Sequence, residues 1–165
     1  MATITTLANP LRTGLAPAMH SNQKFSYHYW EVVDLAAVTT AKGSAIANGD
    51  VIEVLRVPNN TLIEFAWCEK ITALTGTSTD FTLSLGVTGV AAGNYVAGWN
   101  ASTAAVPSYG NPQGVHTPII LAASDTIDLL VTAQTGTVTG GKIVVGAILA
   151  DMVKAPRPGV VPLKS

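Results

Sequence analysis

Residues Asp80 to Thr88 read DFTLSLGVT. Phe81, Leu83, Leu85 and Val87 alternate with Thr82, Ser84, Gly86 and Thr88. Successive side chains of a strand point to opposite faces, so this stretch predicts a strand with one face in a core and the other wet. The same period recurs on both sides. In TLIEFAWCEKITA (61–73) the larger apolar set is Ile63, Phe65, Trp67 and Ile71, and in DTIDLLVT (125–132) it is Ile127, Leu129 and Val131. Both predict half-buried strands. Further strands are expected at FSYHYWEVV (25–33), GDVIEVLRVP (49–58), NYVAGWN (94–100), HTPIILA (116–122) and KIVVGAILAD (142–151). The last is apolar on both faces and must be covered on two sides, as a central strand or at a subunit contact.

Helical periodicity is almost absent, and Gly, Asn, Asp and Thr separate the runs. Asn59-Asn60 after Pro58, and Ser124-Asp125, predict tight turns of the hairpin kind. Ala91 to Gly114, rich in Gly, Asn, Ala, Ser and Pro, predicts long loops around one short strand containing Tyr95 and Trp99. About eight strands in one domain predict an all-β fold, a single β-sandwich over residues 25–152, with a jelly roll the leading topology and an immunoglobulin-like sandwich second.

Residues 1–24 contain Pro10, Gly14 and Pro17, and residues 153–165 contain APRPGVVPLKS; neither alternates, and both read as extended arms. Ordering a backbone costs about 1–2 kcal/mol per residue. Arms without ladders therefore become fixed through apolar anchors on other chains, and Leu7, Leu11, Leu15, Val160, Val161 and Leu163 are the partner-binding anchors expected.

With 48% hydrophobic and 12% charged residues the chain is too apolar to be disordered, and part of its surface is expected to be covered by protein. A formal net charge of -1, with no cluster of Lys and Arg, argues against nucleic acid as a partner. The single cysteine, Cys68, forms no internal disulfide, which suits a reducing cytosol. MATITTLANPLRTG has no basic stretch followed by an apolar core, and the longest apolar run, Ile143 to Ala150, is too short to span a bilayer. Neither export nor membrane insertion is expected, and Asn59-Asn60-Thr61 and Asn100-Ala101-Ser102 are glycosylation patterns without a route to glycosylation.

GTVTGGKI (136–143) carries the spacing of a phosphate-binding loop at Gly136, Gly141 and Lys142. Ile143 stands where Ser or Thr must ligate magnesium, and a β-branched run follows in place of a helix, so a hairpin turn is the better reading. His20, His28 and His116 are scattered, which indicates no metal site, and Asp125 with Asp128 reads as a cap and solvated face before a calcium site. No nucleophile elbow, zinc-protease motif or reactive-cysteine signature occurs, and strict alternation puts Glu64 and Glu69 on opposite faces. No enzymatic activity and no cofactor are expected. Tyr27, Tyr29, Trp30, Tyr95, Trp99 and Tyr109 could stack sugars, but aromatics are enriched at protein contacts, and interface packing is the favoured reading.

GDVIEVLRVPNNTLIEFAW (49–67), TLSLGVTG (82–89) and ASDTIDLLVTAQTGTVTGGKIVVGAILADM (123–152) together resemble the small structural proteins of tailed bacteriophages, and among them the capsid decoration, or cement, proteins. The resemblance lies in strand-and-turn style over residues 25–152 and transfers no catalytic residue. It implies a jelly-roll-like homotrimer made in the host cytoplasm, seated on the outside of a virion and binding major capsid protein. A phage tail, fibre or baseplate component and a carbohydrate-binding module are the alternatives. A tail protein would more often show repeats or a long stalk, and none is visible.

Overall fold

In the computed structural model Phe81, Leu83, Leu85 and Val87 are all fully buried, as the alternation requires. The structure describes residues 3–5, 26–87, 89, 91–103, 105–110 and 117–152. In chain order the elements are β1 (Thr3–Thr5), β2 (Tyr27–Asp34), α1 (Leu35–Lys42), β3 (Val51–Val57), β4 (Thr61–Gly76) and β5 (Asp80–Val87), then β6 (Ala91–Asn100), β7 (Ser108–Tyr109), β8 (Ile119–Ile120), β9 (Asp125–Thr135) and β10 (Val138–Asp151). They form an all-β sandwich of two sheets. Sheet A runs β1-β3-β9-β5-β6, and sheet B runs β2-β10-β4-β7 with β8 also paired to β4.

The pairing is nested. β2 pairs with β10, β3 with β9, β4 with β7 and β8, and β5 with β6, all antiparallel, as in a ribbon folded back on itself at the β5–β6 connection. Rolling that ribbon adds the β10–β4 and β9–β5 ladders and closes a core of Leu, Ile, Val and Phe side chains between the sheets.

Several expectations are corrected. Asn59-Asn60 and Ser124-Asp125 do turn the chain, but β3 and β4, like β8 and β9, lie in opposite sheets, so these are crossings and not hairpins. The same holds for Gly136, which sits between β9 in sheet A and β10 in sheet B. A turn signal fixes reversal of the chain, not the partner of the strand that follows. Ala91 to Asn100 is one long strand with two register shifts against β5, where a loop around a short strand was expected. The second face of β5 is not uniformly wet: Ser84 is buried and its Oγ accepts from Gly98 N at 3.2 Å.

One helix interrupts the strands. Asp34 caps it by accepting from Ala36 N at 3.0 Å, Gly43 (φ 70) ends it in the left-handed conformation, and Leu35 and Val38 are its buried residues. Thr3–Thr5, within a stretch expected to lack ladders, pairs in parallel with Val51–Glu53 at the edge of sheet A. Thr-Ile-Thr is β-branched throughout and fits an edge strand.

Candidate functional site

The outward face of sheet B departs from simple alternation at one residue. On β4, Phe65 pairs with Ile148 and Ile63 with Leu149, so Glu64 is an extra residue in a β-bulge. Before it Thr61 and Ile63 point into the core; after it Ala66, Cys68 and Lys70 do. Phe65 and Trp67 are therefore turned outward, which corrects the expectation that Ile63, Phe65, Trp67 and Ile71 share a face. Ile71 falls at a second irregularity, between the pairs Lys142–Thr72 and Ile143–Lys70, and is exposed.

Residues directly opposite in a ladder share a face, so the outward surface can be read in rows. His28, Ile148 and Phe65 form one row, Trp30, Gly146 and Trp67 the next, then Val32, Val144, Glu69 and Tyr109. The doubly apolar run of β10 explains the layout. Ile143, Val145, Ala147 and Leu149 are buried in the sandwich, while Val144 and Ile148 are half-buried on the outer face. The Trp67 ring lies over Gly146, stacks on Phe65 at 6.4 Å between centroids and meets His28 edge-on at 6.2 Å. Trp30 is 58% exposed, Val32 43% and Tyr109 64%, which leaves a contiguous apolar and aromatic platform open.

Of the aromatics singled out from sequence, Trp30 and Tyr109 stand on this platform. Tyr27 and Tyr29 are half-buried and pack against the core; Tyr95 and Trp99 lie within it. Tyr95 Oη donates to Ile63 O at 3.3 Å. Burial pushes the Tyr95 phenol up to about 12, against a lowering by its hydrogen bond with Asn94. Phe65, Trp67 and Val32 were not singled out for this surface, whereas Val144 and Ile148 belong to the run for which a subunit contact was one expected cover. The legible signal was the second apolar face of KIVVGAILAD. Leu7, Leu11, Leu15, Val160, Val161 and Leu163 lie outside the described residues, as do His20 and His116.

Several polar groups elsewhere are held in structural contacts. Lys70 is 2% exposed and its Nζ donates to Ala101 O at 2.6 Å; burial lowers its pKa. Burial pushes the Cys68 thiol up to about 12. Lys42 forms an ion pair with Asp50, which is buried. Asp125 accepts from Thr126 N at 2.9 Å, and no group of His, Cys, Asp and Glu among the described residues is arranged to hold a metal. Lys142 and Ile143 lie within β10, so no helix follows the glycines of GTVTGGKI. The bulge breaks the alternation used to separate Glu64 from Glu69; five residues of strand still set their backbones about 15 Å apart. Among the described residues no helix is long and apolar enough to cross a membrane.

No protein-family model matches this chain, and no curated protein matches it in sequence. It shares its fold with chains of two solved phage capsids. In the capsid of Ralstonia phage GP4, the match has a TM-score of 0.58 and 16% identity and covers 90% of this chain and 97% of that one. In the cyanophage Pam1 capsid asymmetric unit the values are 0.53 and 15%, with 88% and 98% covered. The match spans nearly the whole of both neighbours. At these identities the likeness is one of fold.

Proposed function

We propose that this chain is a structural, non-enzymatic virion protein of a phage, and specifically a capsid decoration protein. It acts as a homotrimer on the outer surface of the shell and clamps neighbouring major capsid subunits. The observation that carries this is the fold shared, over 90% and 88% of this chain, with chains of two phage capsids. Two features add support. The nested ribbon, β2-β10-β4-β7 against β3-β9-β5-β6, supports the jelly-roll reading. The exposed platform on sheet B supplies the apolar area that assembly needs.

In this reading the sandwich is a rigid support, and the arms, residues 1–24 and 153–165, add anchors to the assembly through Leu7, Leu11, Leu15, Val160, Val161 and Leu163. The test is co-expression with the major capsid protein of the same genome, followed by sedimentation of the particles. The chain is expected in the particle fraction at a fixed ratio to the shell subunit. Recovery only with tails or baseplates would replace the decoration role by a tail role. Absence from all particles, with retention on a glycan array, would favour the carbohydrate-binding alternative.

A further inference from the structure

The platform on sheet B is apolar at its centre and carries two carboxylates, Glu64 and Glu69, on its β4 side. Trp67 lies over Gly146 with Trp30 beside it, Glu69 stands in the adjoining row, and Glu64, which accepts from Ser26 Oγ at 2.5 Å, lies at the bulge. The chain divides its charges unevenly. All ten acidic residues fall between Glu31 and Asp151, whereas Arg12, Lys24, Lys154, Arg157 and Lys164, more than half of the nine basic ones, fall outside that stretch. Of the four basic residues inside it, Lys70 is buried, Lys42 is engaged with Asp50, Lys142 lies 4.0 Å from Asp34 at the end of the platform next to Val32 and Val144, and Arg56 is on β3 of sheet A.

VKAPRPGVVPLKS, residues 153–165, therefore carries Lys154, Arg157 and Lys164 with no acidic side chain, together with Pro156, Pro158 and Pro162. Prolines favour the extended polyproline II form, which loses little entropy on docking and presents its rings to aromatic surfaces. Basic side chains interspersed with apolar ones complement an aromatic surface with carboxylates on one side.

We propose that residues 153–165 of one copy of this chain dock on the outer face of sheet B of a neighbouring copy. Val160, Val161 and the prolines pack on Trp30 and Trp67, and the basic residues face Glu64 and Glu69. The direction of the chain selects a neighbour over its own face. Ala150 and Asp151 still pair with Leu62 and Thr61, and Met152 N donates to Asn60 O at 2.8 Å, so β10 leaves along its own axis at the end of the sheet. Laying Val160 and Val161 on its own platform would need the chain to reverse direction after Met152. At about 3.1 Å per residue an extended segment of this length would span about 40 Å, enough to cross a second molecule. Such a head-to-tail contact closes a ring when the rotation per step allows it. The inference does not depend on the capsid reading.

Cysteine cross-linking of the full chain tests it, because Cys68 is buried and stays silent. Val32→Cys and Val161→Cys are prepared separately, then mixed under mild oxidation. The mixture is expected to give a disulfide-linked dimer several-fold above either variant alone, and Lys154→Glu with Arg157→Glu should abolish it. Tyr109→Cys, at a more exposed platform position, should reproduce the pattern with Val161→Cys. No dimer with either platform cysteine would overturn the proposal. So would dimerisation of Val32→Cys alone, which would mean that two faces meet directly. An internally bridged monomer of the double variant Val32→Cys/Val161→Cys, without intermolecular product, would assign the arm to its own face.

Discussion

The indole of Trp67 occupies the space that a side chain at position 146 would need: a β-carbon on Gly146 would lie 2.2 Å from Trp67 Cζ2. The absence of a side chain at one position of β10 thus lets an aromatic ring on β4 lie down on the sheet.

Gly146→Ala is expected to lift Trp67 off the sheet and to destabilise the fold by about 1–3 kcal/mol, as overpacking does. Chemical denaturation gives the cost, and near-ultraviolet circular dichroism reports the ring. An unchanged aromatic signal with unchanged stability would contradict the packing of Trp67 on Gly146.

The crossings between sheets make a second contrast. Gly76 (φ 123) would place a β-carbon 2.2 Å from Thr137 O, in the corner where Thr77 N donates to Thr137 O at 2.9 Å. Gly43, at the end of α1, has a positive φ of 70 and open space around it. Gly43→Ala is expected to cost about 1 kcal/mol, from backbone strain alone. Gly76→Ala adds a backbone clash and is expected to cost at least about 3 kcal/mol. Urea midpoints of the two variants check the ranking.

Alkaline pH acts through Cys68 and Tyr95. Burial raises the Cys68 thiol from 9.0 to about 12, and the Tyr95 phenol from 10.0 to about 12. The folded state therefore keeps protons that the unfolded chain releases, so their contribution is complete below about pH 9 and is lost as pH rises towards 12. Lys70 works in the opposite sense, since its lowered pKa makes folding more favourable as pH approaches 10.5. Cys68→Ala isolates the thiol, and the loss of stability between pH 9 and 11 is expected to be shallower than in the parent chain. In the native parent chain at pH 8, Cys68 should react with thiol reagents only on unfolding.

Much of this architecture is legible because its causes are local. Phe81, Leu83, Leu85 and Val87 fill a core by alternation alone, and Ile127, Leu129 and Val131 do the same on β9. Even α1 carried a readable signature, Asp34 before LAAVTTAK and Gly43 after it. What local pattern could not carry was pairing between distant segments. Asn59-Asn60 marks a turn whether the next strand returns to the same sheet or crosses to the other. The bulge at Glu64 exists only in the register of β4 against β10, so the outward turn of Phe65 and Trp67, and with it the platform, had no signal in TLIEFAW itself.

That bulge also yields the sharpest mutational contrast. Ile63 and Phe65 are separated only by the extra residue, and unbroken alternation would bury both side chains alike. In the structure Ile63 is fully buried opposite Leu149, whereas Phe65 is half-buried on the outer face opposite Ile148. Truncating a core isoleucine removes transfer energy and leaves a cavity, so Ile63→Ala is expected to cost about 2–5 kcal/mol. Phe65→Ala removes more atoms, but part of the ring already faces solvent and no closed cavity remains; about 1 kcal/mol is expected, set by lost contact with Trp67. Denaturant unfolding at low protein concentration, where contacts between copies contribute least, measures both. A larger cost at Phe65 than at Ile63 would mean that β4 keeps its alternation through Glu64, and the outward platform would lose its basis.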